Sequence, residues 1–199
     1  MNGFVLAGGR STRMGTDKAL LHYAGLPLIE HAINLLKAAG VVPHIVGARP
    51  DLSAFAPVIE DLHPGCGPLG GIESALAASS SDANLLLPVD LPLLPPVFLR
   101  YLLERASITR ASATIPTLGG RPEPLCAAYR RDLLTGIHAS IKSGDYKVMH
   151  AIETTAKYSH VDLFSAEAVM ATRSDWPLDP PLYRWFQNLN TPADLALVS

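Results

Sequence analysis

Gly8, Gly9 and Gly15 fall in the same short stretch as Arg10, Arg13 and Lys18. Glycines let backbone N–H groups approach an oxyanion without Cβ interference, and a row of such groups makes a concavity that binds anions. The three cations add full charge. The segment follows an apolar run, Gly3-Phe4-Val5-Leu6, readable as a first strand. It therefore reads as a nucleotide phosphate site at the C-terminal edge of that strand, where open α/β sheets place their ligands. A Walker A loop is excluded because Thr16 and Asp17 separate Gly15 from Lys18, whereas that loop needs Lys directly after its second Gly. A dinucleotide fingerprint is excluded because Gly8 and Gly9 are adjacent, not alternating. The bland alternative is a strand-to-helix turn with solvated cations.

Two carboxylates and a second glycine-rich loop extend the chemistry. Asp90 ends the apolar run Asn84–Val89, and a carboxylate at the tip of a central strand can hold Mg²⁺ while a triphosphate supplies other ligands. Asp61 ends its own short run, Pro57–Glu60. Each could instead be an Asp that starts an ordinary turn. In Pro64-Gly65-Cys66-Gly67-Pro68-Leu69-Gly70-Gly71 the glycines would let backbone groups meet the edge of a flat base. They could equally serve tight packing of a helix start on the sheet.

The elements that must carry these groups follow from periodicity. Pro27–Ala39 has helical spacing that stops at Gly40, and Val41–Val46 is a β-branched run; strand, helix and strand make a βαβ unit with a right-handed crossover and a parallel sheet. Further helices are expected at 69–78 and 96–105, with a polar break at 79–82. Pro88 should end the regular ladder near Leu87. In the second half, strands at 111–116 and 125–129 joined through Leu118-Gly119-Gly120-Arg121 must be antiparallel. A helix at 131–141, a strand at 158–161 and a last helix capped by Thr191 complete the reading, and 173–181 reads as a surface insertion without chemistry. The class is α/β, with a mostly parallel sheet and an antiparallel element in its second half.

Composition excludes several functions. With 199 residues, 48% apolar and 17% charged, the chain can bury a full core as one domain, with residues 1–106 as a nucleotide-binding half and 107–199 as an acceptor-binding half. A net charge of −2 leaves no basic excess for a dedicated nucleic-acid binder. No signal peptide and no bilayer-spanning run is read. Cys66 and Cys126 are isolated, and the seven histidines show no ligand spacing, which leaves them as surface or packing residues in a cytoplasmic protein.

The stretch L-A-G-G-x-S-x-R-M-G-x-D-K at 6–18 resembles the signature of the molybdenum cofactor guanylyltransferases, the MobA-like branch of the nucleotidyltransferases. The resemblance implies a Rossmann-like, three-layer αβα fold. It implies nucleotide contacts by Leu6, Ala7, Gly8, Gly9, Lys18, Asp61 and Asp90, guanine reading by Gly67 and Gly71, catalytic roles for Arg13, Lys18 and Asp90, and Mg²⁺ on Asp90. Arg121 lies in a segment that resembles the acceptor-side loop, although Glu123 stands where relatives often carry His. Asn188 and Asn190 match the N-x-N-T-P motif near the acceptor, or they are simply two Asn in a turn.

The implied reaction moves GMP from GTP to molybdopterin-bound molybdenum cofactor and releases pyrophosphate, with molybdoenzymes or their chaperones as partners. A cytidylyltransferase for the same cofactor, a sugar-phosphate nucleotidyltransferase and a non-catalytic GTP-binding adaptor are the rivals. Retention of both Asp61 and Asp90 beside an intact first loop argues against the adaptor.

Overall fold

Asn2–Leu6 forms β1, which recruits a parallel neighbour on each edge. The computed structural model describes residues 1–8, 17–155, 160–189 and 194. A two-strand ribbon, β2 (His22–Tyr23) and β3 (Leu26–Pro27), leads into α1 (Leu28–Ala38), β4 (Val42–Val46), β5 (Val58–Ile59) and α2 (Gly67–Ala78). Next come β6 (Ala83–Pro88), α3 (Pro96–Thr109), β7 (Ala113–Leu118), β8 (Arg121–Pro122) and β9 (Ala127–Arg130). The chain continues through α4 (Leu134–Lys142), α5 (Val148–Thr155), β10 (Val161–Ser165), α6 (Ala166–Met170) and α7 (Leu182–Trp185).

The main sheet runs β10-β7-β9-β6-β1-β4-β5, with β8 paired to β7. β9 is antiparallel to both its neighbours, β6 and β7, and β8 is antiparallel to β7. The other pairs are parallel. This is the mostly parallel sheet expected, with the reversal confined to the second half.

Both faces are covered, which is why β6 is apolar at successive positions. Leu85 and Leu87 pack with α1 and α3, while Leu86 turns to the other face with Phe4, α2 and α4. All three leucines are fully buried, a stabilisation of about 1.5–3 kcal/mol per side chain. Pro88 remains in the ladder as the last residue of β6, opposite Leu6, where a missing N–H costs little.

Three local expectations change. Gly119 and Gly120, with φ of 56° and 73°, turn β7 back onto the two-residue β8. The longer antiparallel partner, β9, is reached only after a further turn at 123–126. The strand expected at 158–161 is β10 at Val161–Ser165, and residues 156–159 lie outside the described residues. The 173–181 segment is no mere surface insertion: Trp176 is buried and packs its ring near Phe98, Tyr101 and Trp185, which pins the segment to α3 and α7. Most of the helix expected after Thr191 lies outside the described residues.

Candidate active site

The parallel strands β1, β4, β5 and β6 end at Leu6, Val46, Ile59 and Pro88, and the chain changes direction there. From β1 the chain passes to β4 and β5 on one side, then returns through α2 to β6 on the other. Such a switch in direction opens a crevice at the carboxyl ends of the strands. Here it is a cleft of about 590 Å³.

Most of the residues expected to bind nucleotide line it: Leu6, Ala7, Gly8, Lys18, Asp61, Gly67, Gly71 and Asp90, together with Asn188. Gly9, Arg13 and Asn190 lie outside the described residues. Arg121 is exposed on β8 and is not part of the cleft lining, whereas Glu123 and Leu125 of the same segment are.

Asp90 is 6% exposed, and its carboxylate is paired with the Lys18 ammonium. The two residues are 72 positions apart in sequence, so only the β1–β6 pairing brings them together. The Leu189 N–H donates to the Asp90 carbonyl at 3.0 Å, which seats the preceding Asn188 at the cleft. Lys18 is itself held from behind. Asp17 accepts from the Ala19 N–H at 3.0 Å and so caps the 3₁₀ turn Lys18–Leu20. Arg49, 4% exposed, grips Asp17 with two guanidinium nitrogens and hydrogen-bonds Asp51 at 2.7 Å. Those hydrogen bonds to Asp51, and the two nearby carboxylate charges, outweigh burial and raise the Arg49 pKa above its ordinary value. A rigid path thus runs from Arg49 through Asp17 to Lys18 and Asp90.

The first loop also depends on a residue that sequence reading passed over. Gly47 follows β4 with φ of +135°, and a Cβ there would lie 2.9 Å from both the N and Cα of Gly8. Only glycine lets the β4 end come that close to the Gly8 backbone. On the other wall, Gly67 starts α2 with φ of +60°. Gly71 has a different reason for being glycine: a Cβ would stand 3.1 Å from Leu6 Cδ2, so packing of α2 on β1 accounts for it, although it too faces the cleft.

Burial shifts two acids on the rim. Desolvation pushes the Asp61 carboxyl above the usual carboxylate range, and does the same for Glu123. Burial also pushes the Cys126 thiol far up, with the Glu123 charge adding to it, so this sulfur is no nucleophile. Cys66 and Cys126 are both free and buried. The cleft therefore offers a cation on a rigid mount, oxygen ligands on strand tips and backbone N–H groups. Those are the parts needed to hold and neutralise phosphates.

Arg49, Gly47, Asp17, Glu123, Cys126 and His63 complete the lining or its support. The signal for Gly47 was available, because a glycine directly follows the end of β4; Arg49, three residues beyond that strand, carried none.

Residues 3–163 match the model of the MobA-like NTP transferase domain. The chain belongs to this family. It is a nucleotidyltransferase, an enzyme of the α/β class. It is 48% identical over 104 residues to a molybdenum cofactor guanylyltransferase of Xanthomonas euvesicatoria pv. vesicatoria, an alignment that spans about half of each protein, 51% of this chain and 52% of the relative. A "probable molybdenum cofactor guanylyltransferase" of Chloroflexus aggregans is 32% identical over 208 residues, which covers 100% of this chain and 93% of that one. Among solved structures, the molybdopterin-guanine dinucleotide biosynthesis protein A of Archaeoglobus fulgidus superposes with a TM-score of 0.77 at 26% identity, covering 99% of this chain and 96% of that chain. No helix among the described residues of the transferase is long and apolar enough to cross a membrane.

Proposed function

We propose that this transferase moves a guanylyl group from GTP to the terminal phosphate of molybdopterin-bound molybdenum cofactor, forming a guanine dinucleotide and releasing pyrophosphate. The observation that supports this most is the end-to-end similarity to a protein named "probable molybdenum cofactor guanylyltransferase", in a chain whose strand-end cleft collects Gly8, Lys18, Asp61, Gly67, Asp90 and Asn188.

In the reaction a phosphate oxygen of the acceptor attacks the α-phosphorus of GTP, a new P–O bond forms, and the bond to the bridging oxygen of pyrophosphate breaks. A phosphomonoester has its second pKa near ~6, so the attacking oxygen is already largely deprotonated at neutral pH and no general base is required. The enzyme's task is to align two anions and relieve their repulsion. Lys18 does this as a fixed cation, carried on the turn that Asp17 caps and Arg49 braces. Arg13 adds a second positive charge from the first loop. Backbone groups at Gly8 receive phosphate oxygens, and the loop at Gly67 and Gly71 meets the guanine edge. Asn188, tied to Asp90 through Leu189, faces the acceptor, with Arg121 and Asn190 as further acceptor contacts.

The donor set at the strand tips fits Mg²⁺, which prefers oxygen and takes one or two carboxylates with the rest from phosphates and water. Asp90 would hold it from the cleft wall. When bound, the ion supplies charge neutralisation on the phosphates and the leaving pyrophosphate. Two free thiols fit a reducing cytoplasm as the setting, with molybdoenzymes or their chaperones receiving the product.

A nucleotide panel with molybdopterin cofactor, scored by pyrophosphate release, tests the reading. Release with GTP and not with CTP, ATP or UTP is expected. Turnover with CTP alone, or with a hexose 1-phosphate in place of molybdopterin, overturns it.

A further inference from the structure

Outside the phosphate side of the cleft, the fold assembles a group of side chains that the transfer reaction does not use. Glu73 lies in the middle of α2 and is 1% exposed, yet no Lys or Arg among the described residues is shown pairing with it. A buried carboxylate needs compensation, because desolvating an ion costs several kcal/mol. Its two oxygens each meet an imidazole. Oε2 lies 2.6 Å from His63 Nδ1, and Oε1 lies 2.6 Å from His138 Nδ1. His63 comes from the loop before α2, and His138 from α4 in the second half of the chain. The imidazole rings stand 5.5 Å apart, and one ligand atom from each of the three residues falls within 4.8 Å of the others.

We infer that His63, Glu73 and His138 form a binding site for a late first-row divalent cation, Zn²⁺ in the first instance, separate from the ion that accompanies the nucleotide. Two imidazoles and one carboxylate are a ligand set that suits zinc, cobalt or nickel and not Mg²⁺. Zinc bonds of about 2.0–2.2 Å place neighbouring ligands roughly 3.3 Å apart in a tetrahedron, so the present 2.6 Å contacts need to open by less than one ångström. The histidines can give that distance. Their side chains are 39% and 41% exposed, which leaves room for rotation and an open side from which the ion and a water ligand enter. Glu73, fixed in the helix, is the anchor.

Three separate elements supply the ligands, so the ion acts as a clasp. It joins the base-side loop and α2 to α4, the helix against which α2 packs. His63 also lines the nucleotide cleft, which puts the clasp directly behind one wall of it. The inference rests on these side chains alone and holds whichever nucleotide the enzyme uses.

The test is direct titration of chelator-stripped full-length protein with Zn²⁺ by calorimetry, in excess Mg²⁺ and without nucleotide. One equivalent should bind, with a rise in Tm, and Co²⁺ should give the intense visible absorption of a tetrahedral site. Loss of an outer-shell partner weakens a metal site by ~10–100-fold. His138→Ala and Glu73→Gln remove direct ligands and should each weaken binding at least ~100-fold and abolish the Tm rise. His138 is half exposed, so its variant reports on the metal even if Glu73→Gln fails to fold. Absence of a stoichiometric site in the wild-type protein, or equal binding by wild type and His138→Ala, overturns the inference.

Discussion

The Lys18–Asp90 pair can be tested by a double-mutant cycle on the nucleotide-free protein. The Lys18 side chain is 22% exposed and that of Asp90 is 9% exposed, between a surface ion pair, worth ~0.2–1 kcal/mol, and a buried one, where removing one partner costs ~3–5 kcal/mol. Lys18→Met leaves a carboxylate in a nearly closed position and should cost about 2 kcal/mol. Asp90→Asn leaves an ammonium whose tip can reach water and should cost about 1 kcal/mol. With both charges gone there is no orphan to desolvate, so the double variant should be little worse than Asp90→Asn, a coupling of about 2 kcal/mol. For a chain of this size about 2 kcal/mol moves Tm by ~4–8 °C, and urea unfolding at neutral pH resolves it. If the double variant loses the sum of the single losses to within ~0.5 kcal/mol, the two side chains do not interact in the folded chain and the derivation fails. Pyrophosphate release gives a second readout on the same proteins: each single variant should lose at least ~10²-fold in turnover, the scale of a removed electrostatic group.

Asp61 yields a prediction opposite in sign. Burial raises its pKa in the folded chain. As pH rises from the unfolded pKa through the higher folded one, the unfolded chain loses its proton first, so stability falls across that window and the penalty persists above it. Asp61→Asn should therefore raise Tm at pH 7, change it little below the ordinary carboxylate pKa of ~4, and weaken nucleotide binding; an unchanged Tm at pH 7 would show that the carboxylate is not desolvated. Gly47→Ala meets the Gly8 backbone at 2.9 Å with φ of +135°, so it should cost ~1–3 kcal/mol and raise the KM for nucleotide, measured by thermal melts and steady-state kinetics. Arg49→Lys keeps the charge but loses the fork that holds Asp17 and Asp51 together. Its turnover should fall while the pH profile keeps its shape, and full activity would remove Arg49 from the support of Lys18.

Much of this molecule could be read before any coordinates. Helical spacing located α1, a β-branched run located β4, an Ala/Leu stretch after a Gly-Pro start located α2 and a continuous apolar run located β6, each to within a few residues, because those segments are amphipathic or sandwiched and their burial pattern is local. The second Gly-rich loop and the strand-end positions of Asp61 and Asp90 were legible for the same reason: each is a short-range consequence of what a turn or strand tip allows. The reversed strand was legible as a reversal, but its partners were not. Which strands flank β9 depends on sheet order, and no local pattern encodes that.

The residues that brace the site were the least visible. Arg49 carries no motif, and its importance lies in contacts to Asp17, 32 positions away. Trp176 looked like part of a loop until Phe98, Tyr101 and Trp185 closed around it. The histidines offered no ligand spacing along the chain, yet His138 reaches Glu73 across 65 positions. The sequence by itself determined the chemistry available at each strand end, because backbone freedom and charge are properties of the residue. The tertiary structure decided which of those groups share a cleft, which carboxylate receives Lys18 and where Glu73 finds its imidazoles, since side chains tens of residues apart meet only when the sheet and its helices are packed.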